Sequence, residues 1–219
     1  MINTVIFDLD GLLVNTEYTW YQVWNELLRM YEKSFTLNDY VYNHSGKTVV
    51  DNVEALIKTY HLPISVEEGV SLAIEIEQKY IEAGVELKTG AKELLSYLKK
   101  QQYHIVLGTS SKKERAMKIL QSTDTIHYFD DVVVGYDVKR GKPFPDTFLE
   151  AAKRVHALPE TCLVLEDSEM GIQAAYAAKM NVICIPDLKN PTEEHAQKTS
   201  AVLPTLTHVI SYLEEYNVI

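Results

Sequence analysis

Short apolar blocks alternate with stretches of helical spacing along most of this chain. The first block, Val5-Ile6-Phe7, is too short and too rich in β-formers for a helix, and it predicts a buried strand. Four further blocks predict strands at 103–107, 131–134, 162–165 and 181–185. Helical spacing predicts helices at 90–100, from Ser111 onward, at 146–155, from Ser168 onward and at 206–216. Strands separated by helices favour an α/β fold, in which a parallel sheet has right-handed crossovers.

The segment between the first strand and residue 84 shows helical spacing only. Apolar and aromatic residues recur there every three or four positions in three stripes, which are Tyr18, Tyr21, Trp24, Leu28 and Tyr31, then Val49, Val53, Leu56, Ile57 and Tyr60, then Val70, Ala73, Ile74, Tyr80 and Ile81. We therefore predict an inserted all-α cap domain at 16–84 and a catalytic core at 1–15 and 85–219.

Local signals predict how two core helices begin and what one cap loop does. Ser111 stands three residues before Glu114, the spacing of a capping box, and Asp146 is the expected N-cap of the next helix. The polar segment 42–47, which contains Gly46 and Lys47, is a candidate substrate-binding loop, with a solvated turn as the alternative.

Polar residues follow four of the predicted strands. They are Asp8 and Asp10 after the first, Thr109 and Ser110 after the second, Lys142 after the third, and Glu166 and Asp167 after the fourth. In an open parallel sheet, ligands bind beyond the carboxyl ends of the strands. We therefore expect these side chains to lie at one edge of the sheet.

The charges of this group indicate what it binds. Carboxylates from Asp8, Asp10, Glu166 and Asp167 repel one another unless a cation joins them, and a set of hard oxygen ligands favours Mg²⁺. The hydroxyl of Thr109, the N–H of Ser110 and the charge of Lys142 suit a phosphoryl group instead. Gly11, in the turn after the two aspartates, is assigned to the same phosphate site.

A phosphoryl pocket beside a metal site and a carboxylate predicts attack on phosphorus by Asp8. An aspartyl-phosphate intermediate divides a slow hydrolysis into two easier steps. Asp10, expected to lie among other acids with a raised pKa, would protonate the leaving alcohol and then deprotonate water. Thr109 and Lys142 complete the predicted catalytic set.

These motifs resemble those of the haloacid dehalogenase superfamily, in its β-phosphoglucomutase and sugar-phosphate phosphatase branch. Asp8-Leu9-Asp10-Gly11, Thr109, Lys142-Pro143 and Glu166-Asp167-Ser168 are similar to its four motifs. The resemblance implies a Rossmann-like core with helices on both faces and a cap that closes over the substrate. It also implies Mg²⁺ bound by Asp8, the Asp10 backbone carbonyl and Asp167, with Glu166 as an outer or variable ligand.

Departures from the mutase pattern favour a phosphatase. Trp20 stands where the mutases carry a His, and Val49 stands where they carry an Arg. Asn15 replaces a usual Asp, with no consequence that we can derive. A sugar phosphomutase is the alternative function, followed by a receiver-type phospho-aspartate switch.

Composition and charge narrow the expected partners. The 219 residues carry a net charge of -10, which argues against nucleic-acid binding. We expect no signal peptide and no membrane span, and the two isolated cysteines, Cys162 and Cys184, predict reduced thiols. The expectation is a monomeric cytoplasmic enzyme that acts on a small phosphorylated substrate.

Overall fold

The computed structural model describes residues 1–217 and divides the chain into two compact units. One unit comprises Met1–Asn15 and Glu86–Ile219, and the other comprises Thr16–Val85.

The first unit contains a parallel six-stranded sheet with the order β3-β2-β1-β4-β5-β6. Its strands are β1 (Thr4–Phe7), β2 (His104–Gly108), β3 (Asp131–Val133), β4 (Cys162–Glu166), β5 (Asn181–Cys184) and β6 (Ala201–Val202). Strand β1 is buried throughout and pairs with β2 on one side and β4 on the other. The strand order therefore reverses at β1, and the switch point of this doubly wound sheet lies at the carboxyl end of β1.

The second unit is all-helical. It consists of α1 (Thr16–Arg29), α2 (Leu37–Asn43), α3 (Val49–Tyr60) and α4 (Val66–Ala83). Helices α2 and α4 begin with capping boxes, at Thr36 with Asp39 and at Ser65 with Glu68.

Helices cover both faces of the sheet, as predicted. They are α5 (Ala91–Lys100), α6 (Lys113–Ser122), α7 (Asp146–Arg154), α8 (Glu169–Ala177), α9 (Glu193–Ala196) and α10 (Thr207–Asn217). On one face, Ile6, Val106 and Val164 join the core cluster that contains Phe148 of α7 and Ile172 of α8. Their neighbours along each strand point to the opposite face, because successive side chains of a strand lie on opposite faces of a sheet.

Two predicted helix starts are wrong. The helix expected from Ser111 begins at Lys113, because the Ser111 hydroxyl donates to Asp10, 2.7 Å away, and does not cap the helix. Asp146 is the first residue of α7 and not its cap, since its carboxylate accepts two hydrogen bonds from Arg140.

The helical unit differs from the predicted stripes in detail. Tyr18 is 43% exposed and Tyr31 lies beyond the end of α1, so the buried face is rotated toward other residues. That face consists of Thr16, Thr19, Val23, Trp24, Leu27 and Leu28. The predicted loop 42–47 also begins later than expected, because Tyr42 and Asn43 belong to α2.

Among the described residues, none of the helices is both long and apolar enough to cross a membrane.

Candidate active site

Three carboxylates and one lysine meet at the carboxyl ends of β1 and β4. Oxygen atoms of Asp8, Glu166 and Asp167 all lie within 4.8 Å of one another. Lys142 Nζ donates to Asp8 Oδ1 and to Glu166 Oε1, each at 2.5 Å. The lysine side chain is 7% exposed and lies over the Phe148 ring, so it is a buried cation held by two buried anions.

Local backbone geometry fixes the Glu166 carboxylate. Its Oε2 accepts hydrogen bonds of 2.9 Å from the Asp167 N–H, the Ser168 N–H and the Ser168 hydroxyl. The same hydroxyl accepts from the Gly171 N–H at 3.1 Å, so Ser168 is the N-cap of α8 and the helix predicted to begin at Ser168 begins one residue later, at Glu169. Both oxygens of Glu166 are thus engaged by protein donors.

Burial dominates the electrostatics of the cluster. It raises the pKa of Asp8 to about 7, while the ammonium group of Lys142 acts in the opposite direction. Burial likewise raises the pKa of Asp167 well above its usual range, with the charges of Glu166 and Asp8 adding to the effect. For Lys142, burial alone would lower the pKa, but Asp8 and Glu166 together raise it above its ordinary value. A cation bound among these acids would favour their charged forms.

Gly11 makes room for the carboxylate cluster. Its φ of +79° lies in the left-handed region, and a Cβ at this position would overlap the Asp167 carboxylate. Its N–H donates to the Val14 carbonyl at 3.0 Å, which closes the turn after the two aspartates.

The loop after β2 presents Thr109, Ser110 and Ser111. The Thr109 N–H donates to the Val133 carbonyl at 3.0 Å, and its buried hydroxyl accepts from the Ser111 N–H at 3.1 Å. Gly135 lies against the Ser110 carbonyl, where a side chain would collide with it. The loop is therefore fixed from both sides before α6 begins.

The side chain of Asp10 is not part of the carboxylate cluster. Arg115 Nη1 of α6 donates a hydrogen bond of 2.8 Å to Oδ2, and Nη2 lies 2.8 Å from Oδ1 in an ion-pair contact. The Ser111 hydroxyl also donates to Oδ2. The charge of Asp10 acts on Asp8, as expected for neighbouring acids, but the Arg115 guanidinium group pairs with it, which the sequence did not indicate.

Comparison with known proteins gives the family. The family model described as haloacid dehalogenase-like hydrolase matches residues 5–185, which contain the carboxylate cluster, Lys142, Arg115 and the loop after β2. The chain belongs to the haloacid dehalogenase-like hydrolases.

Curated relatives and solved structures of haloacid dehalogenase-like hydrolases are similar over most of their length. The chain is 29% identical over 177 residues to a phosphorylated carbohydrates phosphatase of Thermotoga maritima, which covers 81% of this chain and 82% of the relative. It is 30% identical over 179 residues to a fructose-1-phosphate phosphatase of Escherichia coli, with 82% and 94% covered. A haloacid dehalogenase family hydrolase from Deinococcus radiodurans has the same fold, with a TM-score of 0.85, 24% identity and coverage of 100% and 97%.

The carboxylate cluster of this haloacid dehalogenase-like hydrolase fits a magnesium ion. It offers hard oxygen atoms on rigid strand ends, and in this cluster only Lys142 offsets the charges of Asp8, Glu166 and Asp167. Because Lys142 and backbone donors already occupy Glu166, Asp8 and Asp167 are the better candidates for direct contact with the metal.

A second ion pair lies beside the cluster and joins Lys88 to Asp187, which is in the loop after β5. Lys88 Nζ lies 2.5 Å from Asp187 Oδ1, and the Asp187 side chain is 7% exposed. Its Oδ2 is buried, has no hydrogen-bond partner among the described residues, and lies 3.3 Å from the position of a Cβ on Gly11. The Asp187 charge contributes to raising the pKa of Asp167.

The predicted cap residues belong to the other unit. Gly46 follows α2 with a φ of +79°, and nothing crowds the position of a Cβ there. A role for Gly46 and Lys47 in substrate binding stays a prediction.

Proposed function

We propose that this chain is a Mg²⁺-dependent phosphatase that hydrolyses small sugar phosphates through an aspartyl-phosphate on Asp8. One observation carries the proposal. A buried lysine joins Asp8 to Glu166, and Asp167 lies close enough for a cation to be shared with Asp8. This combination suits a carboxylate nucleophile that must approach a phosphoryl dianion.

In the first step, a carboxylate oxygen of Asp8 attacks phosphorus. The bond from phosphorus to the ester oxygen breaks as the new bond forms, and Asp10 supplies a proton to the departing alcohol. In the second step, Asp10 takes a proton from water, which attacks phosphorus and releases Asp8 and inorganic phosphate.

Charge around the phosphoryl oxygens is balanced by the protein and by the ion. Lys142 would remain between Asp8 and Glu166 and lower the cost of bringing a phosphate to a buried acid. The Thr109 hydroxyl would donate a hydrogen bond to a phosphoryl oxygen, and the Ser110 N–H would donate a second one. Magnesium, when held by Asp8, the Asp10 carbonyl and Asp167, supplies Lewis-acid stabilisation of the developing charge.

Sugar phosphates are proposed as the substrates because of the relatives. Two of them are named for phosphorylated carbohydrates and for fructose 1-phosphate. Membership of the hydrolase family also argues against the receiver-type phospho-aspartate switch. We place the enzyme in the cytoplasm, where the two buried free thiols Cys162 and Cys184 would stay reduced.

The test is phosphate release from a panel of sugar phosphates by the wild type, Asp8→Asn and Asp8→Ala. We expect turnover by the wild type with Mg²⁺, none after chelation, and none by either variant, although both keep their thermal unfolding transition. Acid quenching during turnover should trap a phosphoryl group on Asp8. Sustained turnover in both Asp8 variants would contradict the proposal.

A sugar phosphomutase is the alternative within the same superfamily. It would isomerise an added aldose phosphate with little release of inorganic phosphate. The residues at positions 20 and 49, Trp20 and Val49, favour hydrolysis. Product analysis of the same reactions separates the two activities.

A further inference from the structure

We propose that Arg115, with Ser111, is a positioning residue that fixes the Asp10 carboxylate for proton transfer to the leaving alcohol. The inference rests on the proposed function, because it assigns Arg115 a part in the same hydrolysis. Neither residue touches the phosphoryl group in this assignment, and both act through Asp10.

The contact between Arg115 and Asp10 fixes the carboxylate plane. Both nitrogen atoms of the guanidinium fork lie 2.8 Å from the two carboxylate oxygens. Arg115 Nη1 also donates to the Ser111 hydroxyl at 2.6 Å, and that hydroxyl donates to Asp10 Oδ2 at 2.7 Å. Arg115, Ser111 and Asp10 Oδ2 therefore form a closed set of hydrogen bonds, and the ion-pair contact of Nη2 with Oδ1 adds a second point of contact that a single ammonium group would not supply.

This arrangement differs from an ordinary surface ion pair. The Arg115 side chain is only 18% exposed, whereas that of Arg140, paired with Asp146, is 55% exposed. Ser111 also has the spacing of a helix cap, yet its hydroxyl is directed to Asp10 and α6 begins without a side-chain cap. The helix therefore lacks the stabilisation that a side-chain cap gives, and the Ser111 hydroxyl holds Asp10 instead.

Two cations separate the two aspartates of the turn. Lys142 binds Asp8 from the β3 loop, and Arg115 binds Asp10 from α6. The acids are one residue apart, so without Arg115 the Asp10 carboxylate would be free to turn toward Lys142 and compete with Asp8. Arg115 thereby keeps the nucleophile and the proton donor in different places.

The test compares a poor and a good leaving group. Sugar phosphates release an alcohol that needs a proton, whereas p-nitrophenyl phosphate releases a stable phenolate that does not. Positioned acid–base catalysis contributes about 10²–10⁴-fold, and losing the position removes part of that. We expect Arg115→Met to lower kcat/KM for the sugar phosphate that the wild type hydrolyses best by about 10–100-fold. For p-nitrophenyl phosphate the loss in kcat/KM should be less than about threefold, because kcat/KM reports the step that releases the phenolate, and that step needs no proton from Asp10.

Further variants keep the test decisive. Arg115→Lys should recover part of the lost rate, and Ser111→Ala should show a smaller loss with the same selectivity. In an Asp10→Asn background, Arg115→Met should add no further selective loss, because the group that it positions has been removed. Arg154→Met is the matched control, since Arg154 also binds carboxylates, those of Asp131 and Asp137, but outside the cluster.

Equal losses on both substrates, or a selective loss that persists in the Asp10→Asn background, would overturn the positioning role. That result is distinguishable from failure of the proposed function, in which the Asp8 variants would remain active. If Arg115→Met does not fold, Arg115→Lys and Ser111→Ala still decide, because unselective losses in both would contradict the proposal.

Discussion

Gly171 of α8 lies directly against the carboxylate of Glu166. A Cβ at position 171 would overlap Glu166 Oε1, so only glycine leaves space for this carboxylate at the start of α8. The helix therefore packs against the strand end through the same atoms that Lys142 and the Ser168 hydroxyl contact.

We expect Gly171→Ala to displace Glu166 and to lower kcat/KM at least tenfold. In an exposed helix, the same change would stabilise by up to about 1 kcal/mol, so a fall in the unfolding midpoint would report the collision. Phosphate release and thermal unfolding measure the two effects. Met170→Ala is the control, because Met170 is exposed on the same helix. A more stable and fully active Gly171→Ala variant would contradict the packing argument.

Removal of the Lys142 charge should destabilise the fold strongly. In Lys142→Met, Asp8 and Glu166 would remain buried without their cation, and breaking a buried pair costs about 3–5 kcal/mol. Mg²⁺ should stabilise this variant more than the wild type, because the cluster then carries one more uncompensated negative charge.

Urea unfolding with and without Mg²⁺ measures both changes for Lys142→Met. The control is Lys99→Met, which breaks a half-exposed pair with Asp130 and should cost less than about 1 kcal/mol. A loss as small in Lys142→Met as in Lys99→Met would show that the buried pair is unimportant for folding.

The main elements of the core could be predicted from the sequence because their signals are local. Apolar blocks identified β1, which Asp8 follows, and β4, which ends at Glu166, and helical spacing identified the core helices between them. Strand β6 was missed, since two residues give no periodic pattern. Helix α2 was also missed, because its seven residues are too few for a clear apolar stripe, although Thr36 and Asp39 provide a capping signal.

The topology brought Asp8, Lys142 and Glu166 to one edge as expected, but the pairing of individual side chains beyond that set could not be predicted in this way. Arg115 and Asp10 are separated by more than 100 residues, and nothing local distinguishes Arg115 from other basic residues of an amphipathic helix. Ser111 carried a capping signal that tertiary contacts overrode. The pairing of Asp187 with Lys88 likewise follows only from the folded sheet.

The Lys88–Asp187 pair should tune the magnesium affinity of the cluster. Asp187 Oδ2 lies beside Asp167, and Lys88 offsets its charge. We expect Asp187→Asn to weaken Mg²⁺ binding about three- to tenfold, which corresponds to about 0.7–1.4 kcal/mol. Lys88→Met should tighten it, because the Asp187 charge is then uncompensated. Isothermal titration of Mg²⁺ into the protein measures both, and weaker binding in both variants would indicate a structural role only.

The buried His44 should make stability depend on pH. Its Nδ1 lies 2.8 Å from Asn52 Oδ1, the Asn52 amide donates to the His44 carbonyl at 3.1 Å, and the Phe35 ring packs against the imidazole. Burial lowers the pKa of His44 below its usual value, and the Lys47 charge acts in the same direction, while Asn52 and Asp39 oppose it. The folded protein therefore prefers the neutral imidazole.

In the unfolded chain His44 titrates near its ordinary pKa of about 6.5. Below that pH the unfolded state binds this proton more readily than the folded state, so the free energy of unfolding falls as the pH drops toward the folded pKa. Above about pH 6.5 the stabilising contribution of the neutral His44 side chain is fully present. The difference between wild type and His44→Gln should thus stay nearly constant from about pH 7.5 to about pH 6.5 and shrink below that, down to the lowest pH at which both fold, as measured by urea unfolding. His61→Asn, at an exposed left-handed position of the same unit, is the matched control variant. A constant difference between wild type and His44→Gln across this range would show that the two states bind the His44 proton equally.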